Sequence, residues 1–85
     1  MKVKIEDVEI RGVEQRESKK EGAGPYWIVR FEDSTGLPCE VLDRDPDRAA
    51  YYKRGALGDF YCDLRMGRDW ARLNVIDFKL KATDK

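Results

Sequence analysis

The sequence predicts an all-β domain of five strands with one short helix, and three observations predict it. Apolar and polar residues alternate in short runs, most cleanly where Phe60, Cys62, Leu64 and Met66 are interleaved with Tyr61, Asp63 and Arg65. Turn-forming Gly, Pro and Asp residues separate these runs at short intervals. Only the segment 45–55 carries helix start and stop signals together. At 85 residues the chain has room for one domain spanning 1–85 and one modest core.

In the first strand, Val3 and Ile5 alternate with lysines, and Val8, Ile10 and Val13 continue the pattern. The step from Ile5 to Val8 is three residues, which would flip the inward face, so a bulge is expected at Glu6-Asp7. Residues 14–25 are polar and end in Gly24-Pro25, which reads as a flexible loop. The run Tyr26 to Glu32 is the strongest strand signal. Trp27, Val29 and Phe31 form its core face, and Tyr26, Ile28, Arg30 and Glu32 its outer face.

Asp33-Ser34-Thr35-Gly36 is a tight turn into the third strand, 37–43, where Cys39 and Val41 point inward and Glu40 and Leu42 outward. Asp45 is the expected N-cap of the helix, Pro46 its first residue and Gly55 its stop, giving a helix over about 46–54. Ala49 and Tyr52 share a face that can plug one end of the sheet. The fourth strand is 57–66, Gly67-Arg68-Asp69 turns the chain, and the fifth strand is 70–81. Leu73 and Val75 have one parity and Ile76, Phe78 and Leu80 the other, so a second bulge, or burial of both faces, is expected near Val75-Ile76. Residues 82–85 read as a polar tail.

Composition narrows the function classes. Histidine, the commonest general acid–base near neutral pH, is absent. The only serines, Ser18 and Ser34, lie in no nucleophile elbow, and there is no phosphate-binding Gly-rich loop. Asp43, Asp45 and Asp47 would have to converge on one cation to make a metal-dependent enzyme, and turn and helix-start roles explain them more simply. The expectation is therefore no enzyme, no metal and no cofactor. Cys39 and Cys62 are too far apart in sequence for a CxxC pair and read as reduced, packed thiols, with a disulfide as the alternative for a secreted chain. No apolar run is long enough for a membrane span and the first residues have no signal-peptide core, so a cytoplasmic location is expected. Net charge is zero, with an acidic middle and a last third of eight basic and five acidic residues.

The element order, the bulge in the first strand, the glycine before the fourth strand at Gly55 or Gly58, and the final hairpin match a five-stranded Greek-key barrel of the OB-fold type. An SH3-like barrel is the structural alternative. In the run Gly55-Ala56-Leu57-Gly58-Asp59 the chain resembles small single-stranded-DNA-binding proteins of the bacterial and phage type. That resemblance implies a cytoplasmic, non-sequence-specific binder of single-stranded DNA, or RNA, from a phage or mobile element, acting as a homodimer.

It also implies a site on the second and third strands and the flanking loops. Tyr26, Ile28 and Arg30 would contribute from the second strand and Glu40 and Leu42 from the third. Arg16, Lys19 and Lys20 would come from the first loop. Arg65, Arg68, Trp70 and Arg72 would come from the last hairpin, with Tyr61 nearby. The chemistry asks for aromatic faces on which bases stack and for cations along the phosphate path. Trp70, between Arg68 and Arg72 beside a turn, is the leading stacking candidate, against packing over the barrel end. Arg30 is a phosphate contact or a cross-strand partner of Glu40. Acidic Glu32, Glu40 and Asp43 oppose the reading. A protein-interaction module without nucleic-acid affinity is the competing function.

Overall fold

The computed structural model describes residues 1–19, 22 and 24–83. Its elements are β1 (Lys2–Glu17), β2 (Pro25–Glu32), β3 (Pro38–Asp43), α1 (Pro46–Ala49), β4 (Ala56–Met66) and β5 (Ala71–Thr83). The strands form one closed sheet in the order β1-β2-β3-β5-β4, with β4 returning to β1. Every pairing is antiparallel except β3 with β5, which meet in parallel at Leu42 and Asn74.

The first bulge lies where the broken alternation placed it. The β1–β4 register shifts between Ile5 and Val8, and Asp7 takes a φ of 55°. This restores the inward face, so that Val8 and Ile10 are both fully buried. The left-handed turn is held from outside: the Asp7 backbone N–H donates to Asp59 Oδ1 at 3.0 Å. Lys81 Nζ lies 2.7 Å from Asp7 Oδ1 and 3.1 Å from Asp59 Oδ1. Glu9 pairs with both Leu57 and Glu32, so β1 passes there from one neighbour to the next.

The expected loop 14–25 is shorter than the sequence suggested. Residues 14–17 continue β1 and pair with Ile28, Trp27, Tyr26 and Pro25. Their side chains are polar on both faces, so no apolar stripe marked them as strand; backbone pairing with β2 holds them. Residues 18–24 remain of the expected loop, and of these Lys20, Glu21 and Ala23 lie outside the described residues.

β2 and β3 follow the expected parity, with Val29, Phe31 and Val41 buried and Trp27 and Cys39 half-buried. Asp33 Oδ1 fixes the turn between them by accepting from Thr35 N–H, the Thr35 hydroxyl and Leu37 N–H. Gly36 supplies the required positive φ of 86°.

The helix is a correction. Asp45 caps it by accepting from Asp47 N–H at 2.9 Å, with Pro46 in the first turn, but it ends at Ala49 rather than near residue 54. Tertiary packing overrides the local signal. Tyr51 N–H and Tyr52 N–H donate to carbonyls three residues back, Arg48 and Ala49, and the tighter turn drives Tyr52 into the core. There Tyr52 packs against Phe60 and Phe78 with ring centroids 5.8 and 5.3 Å apart, and Phe60 in turn against Phe31 at 5.0 Å.

The end of the core beneath α1 is closed by a polar group. The Asp43 side chain is fully buried and accepts from Arg48 Nε and Nη2, each at 2.9 Å, from the Tyr52 hydroxyl and from Asp45 N–H. Arg48 Nη1 also donates to the Ile76 carbonyl at 2.8 Å. Burial first, and then the bond to Asp43, push the Tyr52 hydroxyl far above its ordinary value, so it stays a donor.

The β4–β5 hairpin contains the second expected bulge. The register shifts between Tyr61 and Cys62, opposite Asp77 and Val75, leaving Ile76 as the extra residue. A further shift between Leu57 and Gly58 leaves Lys81 extra, which is the residue that reaches Asp7 and Asp59. β5 runs on to Thr83, so the expected polar tail from residue 82 begins as strand. Both cysteines are free, and burial pushes the Cys62 thiol up to about 11.

Asp63 ties the amino terminus to β4. It accepts from Arg65 Nε at 2.7 Å and from the Met1 ammonium at 3.1 Å. Arg65 first, and the ammonium second, bring its carboxyl down to about 2 from 3.8. A carboxyl depressed on folding contributes stability that is fully present above its unfolded pKa of about 4 and lost as pH falls through about 2. Thermal melts are therefore expected to fall across that window, and Asp63→Asn to shrink the fall; an unchanged profile in the variant would refute the assignment.

Candidate functional site

Closure of the sheet carries the outer face of β2 and β3 between β1 on one side and the start of β5 on the other. Directly opposed pairs run across it: Arg16 with Tyr26, Glu14 with Ile28, Ile28 with Leu42, and Arg30 with Glu40. The acidic residue of β3 thus shares the face of Arg30. Arg30 Nη2 lies 3.2 Å from Glu14 Oε1, and its Nε lies 3.8 Å from Glu40 Oε2. Arg16 Nε lies 2.9 Å from Glu14 Oε2. Arg16 first and Arg30 second hold the Glu14 carboxyl below its usual range. Two of the expected cations are therefore charge-paired in the free protein.

Other cations on this face are not. Arg44 places its guanidinium 5.4 Å from the ring centre of Tyr26, and Arg72 lies 5.8 Å from that of Trp70. Neither arginine forms an ion pair among the described residues. The apolar Ile28–Leu42 pair belongs to the same face, and a cleft of about 170 Å³ between β3 and β5 is lined by Ile28, Leu42, Arg72 and Leu73 together with the acidic Glu40.

Trp70 is 55% exposed, which sets it apart from half-buried Trp27. It is not loose: a Cβ built on Gly67 would fall 2.0 Å from its Nε1 and 2.3 Å from its Cε2, so the indole lies directly against the Gly67 backbone. The hairpin is closed by Gly67 N–H donating to the Trp70 carbonyl at 2.9 Å. A glycine in the turn thus seats the tryptophan that follows it.

The remaining expected residues separate. Arg65 stands opposite Arg72 across the hairpin but is bound to Asp63. Arg68 is exposed in the turn, Lys19 is exposed at the end of the β1 extension, and Lys20 lies outside the described residues. Tyr61 does not join the site. It sits on β4, opposite Lys4 of β1 and Asp77 of β5, with Lys4 and Lys79 each 5.4 Å from its ring centre. Strand order places β4 between β1 and β5, away from the β2–β3 pairing.

Arg44 was missed. It follows Leu42 by two residues, so extending the period-two alternation one step past the strand end would have placed it on the outer face. Among the described residues no cluster of His, Cys, Asp and Glu could hold a metal ion, and no helix is long and apolar enough to cross a membrane. A larger hollow of about 520 Å³ beside Arg11, Arg30 and Cys39 has its cations bound to Glu9, Glu32 and Glu14.

No family model, no curated protein and no solved structure matches this chain.

Proposed function

We propose that this domain is an OB-fold that binds single-stranded nucleic acid, DNA in the first instance, over the β2–β3 face, as a binding protein rather than an enzyme. The fold reading is supported by the strand order β1-β2-β3-β5-β4, the parallel contact of β3 with β5 and the helix between β3 and β4. The observation that carries the function is the pair of arginine–aromatic contacts, Arg44 with Tyr26 and Arg72 with Trp70, on a face that also holds the apolar Ile28–Leu42 pair. Exposed rings stack bases without sequence preference, and arginines free of carboxylate partners are available to phosphates. Arg16 and Arg30 would have to exchange Glu14 for phosphate, which makes them weaker contributors than their positions suggest.

Titration with oligo-dT, followed by tryptophan fluorescence at low and moderate salt, tests this. Saturable quenching that weakens as salt rises is the expected result. Trp70→Ala should lower affinity by about 5- to 150-fold, the equivalent of about 1–3 kcal/mol for one stacked base. A flat titration at low salt would overturn the proposal in favour of a protein-interaction module.

A further inference from the structure

Beside the stacking face is a second cavity of about 370 Å³, lined by Leu42, Arg44, Arg48, Arg72, Asn74 and Val75. Three arginines and an asparagine amide therefore border one hollow, and they differ in what they can offer. Arg48 is spent: its guanidinium donates to Asp43, to the Ile76 carbonyl and to the Val75 carbonyl, and Nη1 lies 3.3 Å from Asp45 Oδ2. It forms a fixed wall that ties α1 to the bulge of β5. Arg44 and Arg72 hold no ion pair among the described residues, and each rests near an aromatic ring that limits where its guanidinium can go. The neighbouring carboxylates have cations of their own: Asp43 and Asp45 are held by Arg48, Asp63, opposite Asn74, by Arg65 and the Met1 ammonium, and Glu40, which borders the adjoining cleft with Arg72, lies 3.8 Å from Arg30 Nε.

The geometry points to this cavity as a seat for a phosphate-class anion, bound between the guanidinium groups of Arg44 and Arg72 with the Asn74 amide as a further donor. Guanidinium forks match phosphate oxygens two at a time, and a site with its own acids neutralised presents net positive charge to an incoming anion. The volume is ample for one phosphoryl or pyrophosphoryl group. The source of the phosphate, a nucleic-acid backbone or a free polyphosphate, is where the inference rests on the single-strand reading; the seat itself does not need it.

Inorganic pyrophosphate is the probe. Titrated into the intact domain and followed by NMR of the arginine Nε–H resonances, it is expected to shift Arg44 and Arg72 saturably, with Arg68 as the unshifted reference. Arg44→Ala and Arg72→Ala should each weaken this binding at least tenfold. No saturable shift, or equal shifts at Arg68, would overturn the seat. Oligo-dT separates the sources. If each variant lowers the salt-dependence slope by about 0.7, a backbone phosphate occupies the seat. Binding of pyrophosphate without oligo-dT keeps the seat and removes the single-strand reading. Binding of oligo-dT with unchanged slopes and no pyrophosphate shift removes the seat and keeps that reading.

Discussion

Arg48→Met is expected to destabilise the domain by about 3–5 kcal/mol, the usual consequence of removing one partner from a buried ion pair. The Asp43 carboxylate has no exposed surface and takes two of its hydrogen bonds from Arg48. Without them it keeps only the Tyr52 hydroxyl and the Asp45 N–H, too few for a buried charge. The loss also frees the β5 bulge, because the Ile76 carbonyl loses its donor. A domain of this size has a total stability of roughly 4–13 kcal/mol, so the variant should lose about a quarter of it or more. Thermal denaturation would show a fall of at least about 12 °C, from about 4–8 °C per kcal/mol. Tyr52→Phe removes a single donor and should cost less, about 1.5–3 kcal/mol. Equal losses in the two variants would mean that the arginine is not what holds Asp43.

Gly58→Ala is expected to cost about 2–3 kcal/mol, although alanine is ordinarily the better strand residue. An added Cβ would lie 2.4 Å from the Lys79 carbonyl oxygen and 2.7 Å from Phe78 Cζ. The first of these is backbone of the paired strand and cannot swing aside; the second belongs to the ring cluster of Phe60, Tyr52 and Phe78. Gly12→Ala is the internal control. It lies in β1 with nothing within 4 Å of the place an added Cβ would take and no positive φ, so replacement there should be neutral or stabilising by up to about 1 kcal/mol. Chemical denaturation of the two variants side by side measures the contrast. Similar midpoints would show that the strands at Gly58 can part to admit a methyl group.

The same residues explain which features the sequence made legible. Two of the bulges could be read because a break in period-two parity has only two remedies, an extra residue or burial of both faces, and Ile5–Val8 and Val75–Ile76 break it openly, whereas the register shifts at Ile10–Gly12 and Leu57–Gly58 were missed. The turn at Asp33–Gly36 and the cap at Asp45 were legible because their chemistry is local. The helix end was not, since the packing of Tyr52 under Phe60 and Phe78 is a contact between distant segments. The extension of β1 through residues 14–17 was hidden by polar side chains on both faces, and this concealed Glu14 as the partner of Arg16 and Arg30. Of the expected binding residues, Tyr26, Trp70 and Arg72 keep exposed or half-exposed positions around the β2–β3 face, whereas Tyr61 was misplaced because alternation gives the face of a strand but not its position in a closed sheet.

The long first strand also bears on how the molecule avoids its own copies. Past Ile10, whose carbonyl accepts from Gly55 N–H at 2.8 Å, β1 has a strand partner on one edge only among the described residues, β2, so the other edge from Arg11 to Glu17 has no paired strand. Such an edge is a template for aggregation unless its side chains discourage docking. Here the exposed residues along it include Arg11, Gln15, Arg16 and Glu17, with Val13 as the apolar exception. Mixed charge along such an edge disfavours strand-to-strand docking, so the same polar character that hid this stretch from strand recognition is expected to protect it.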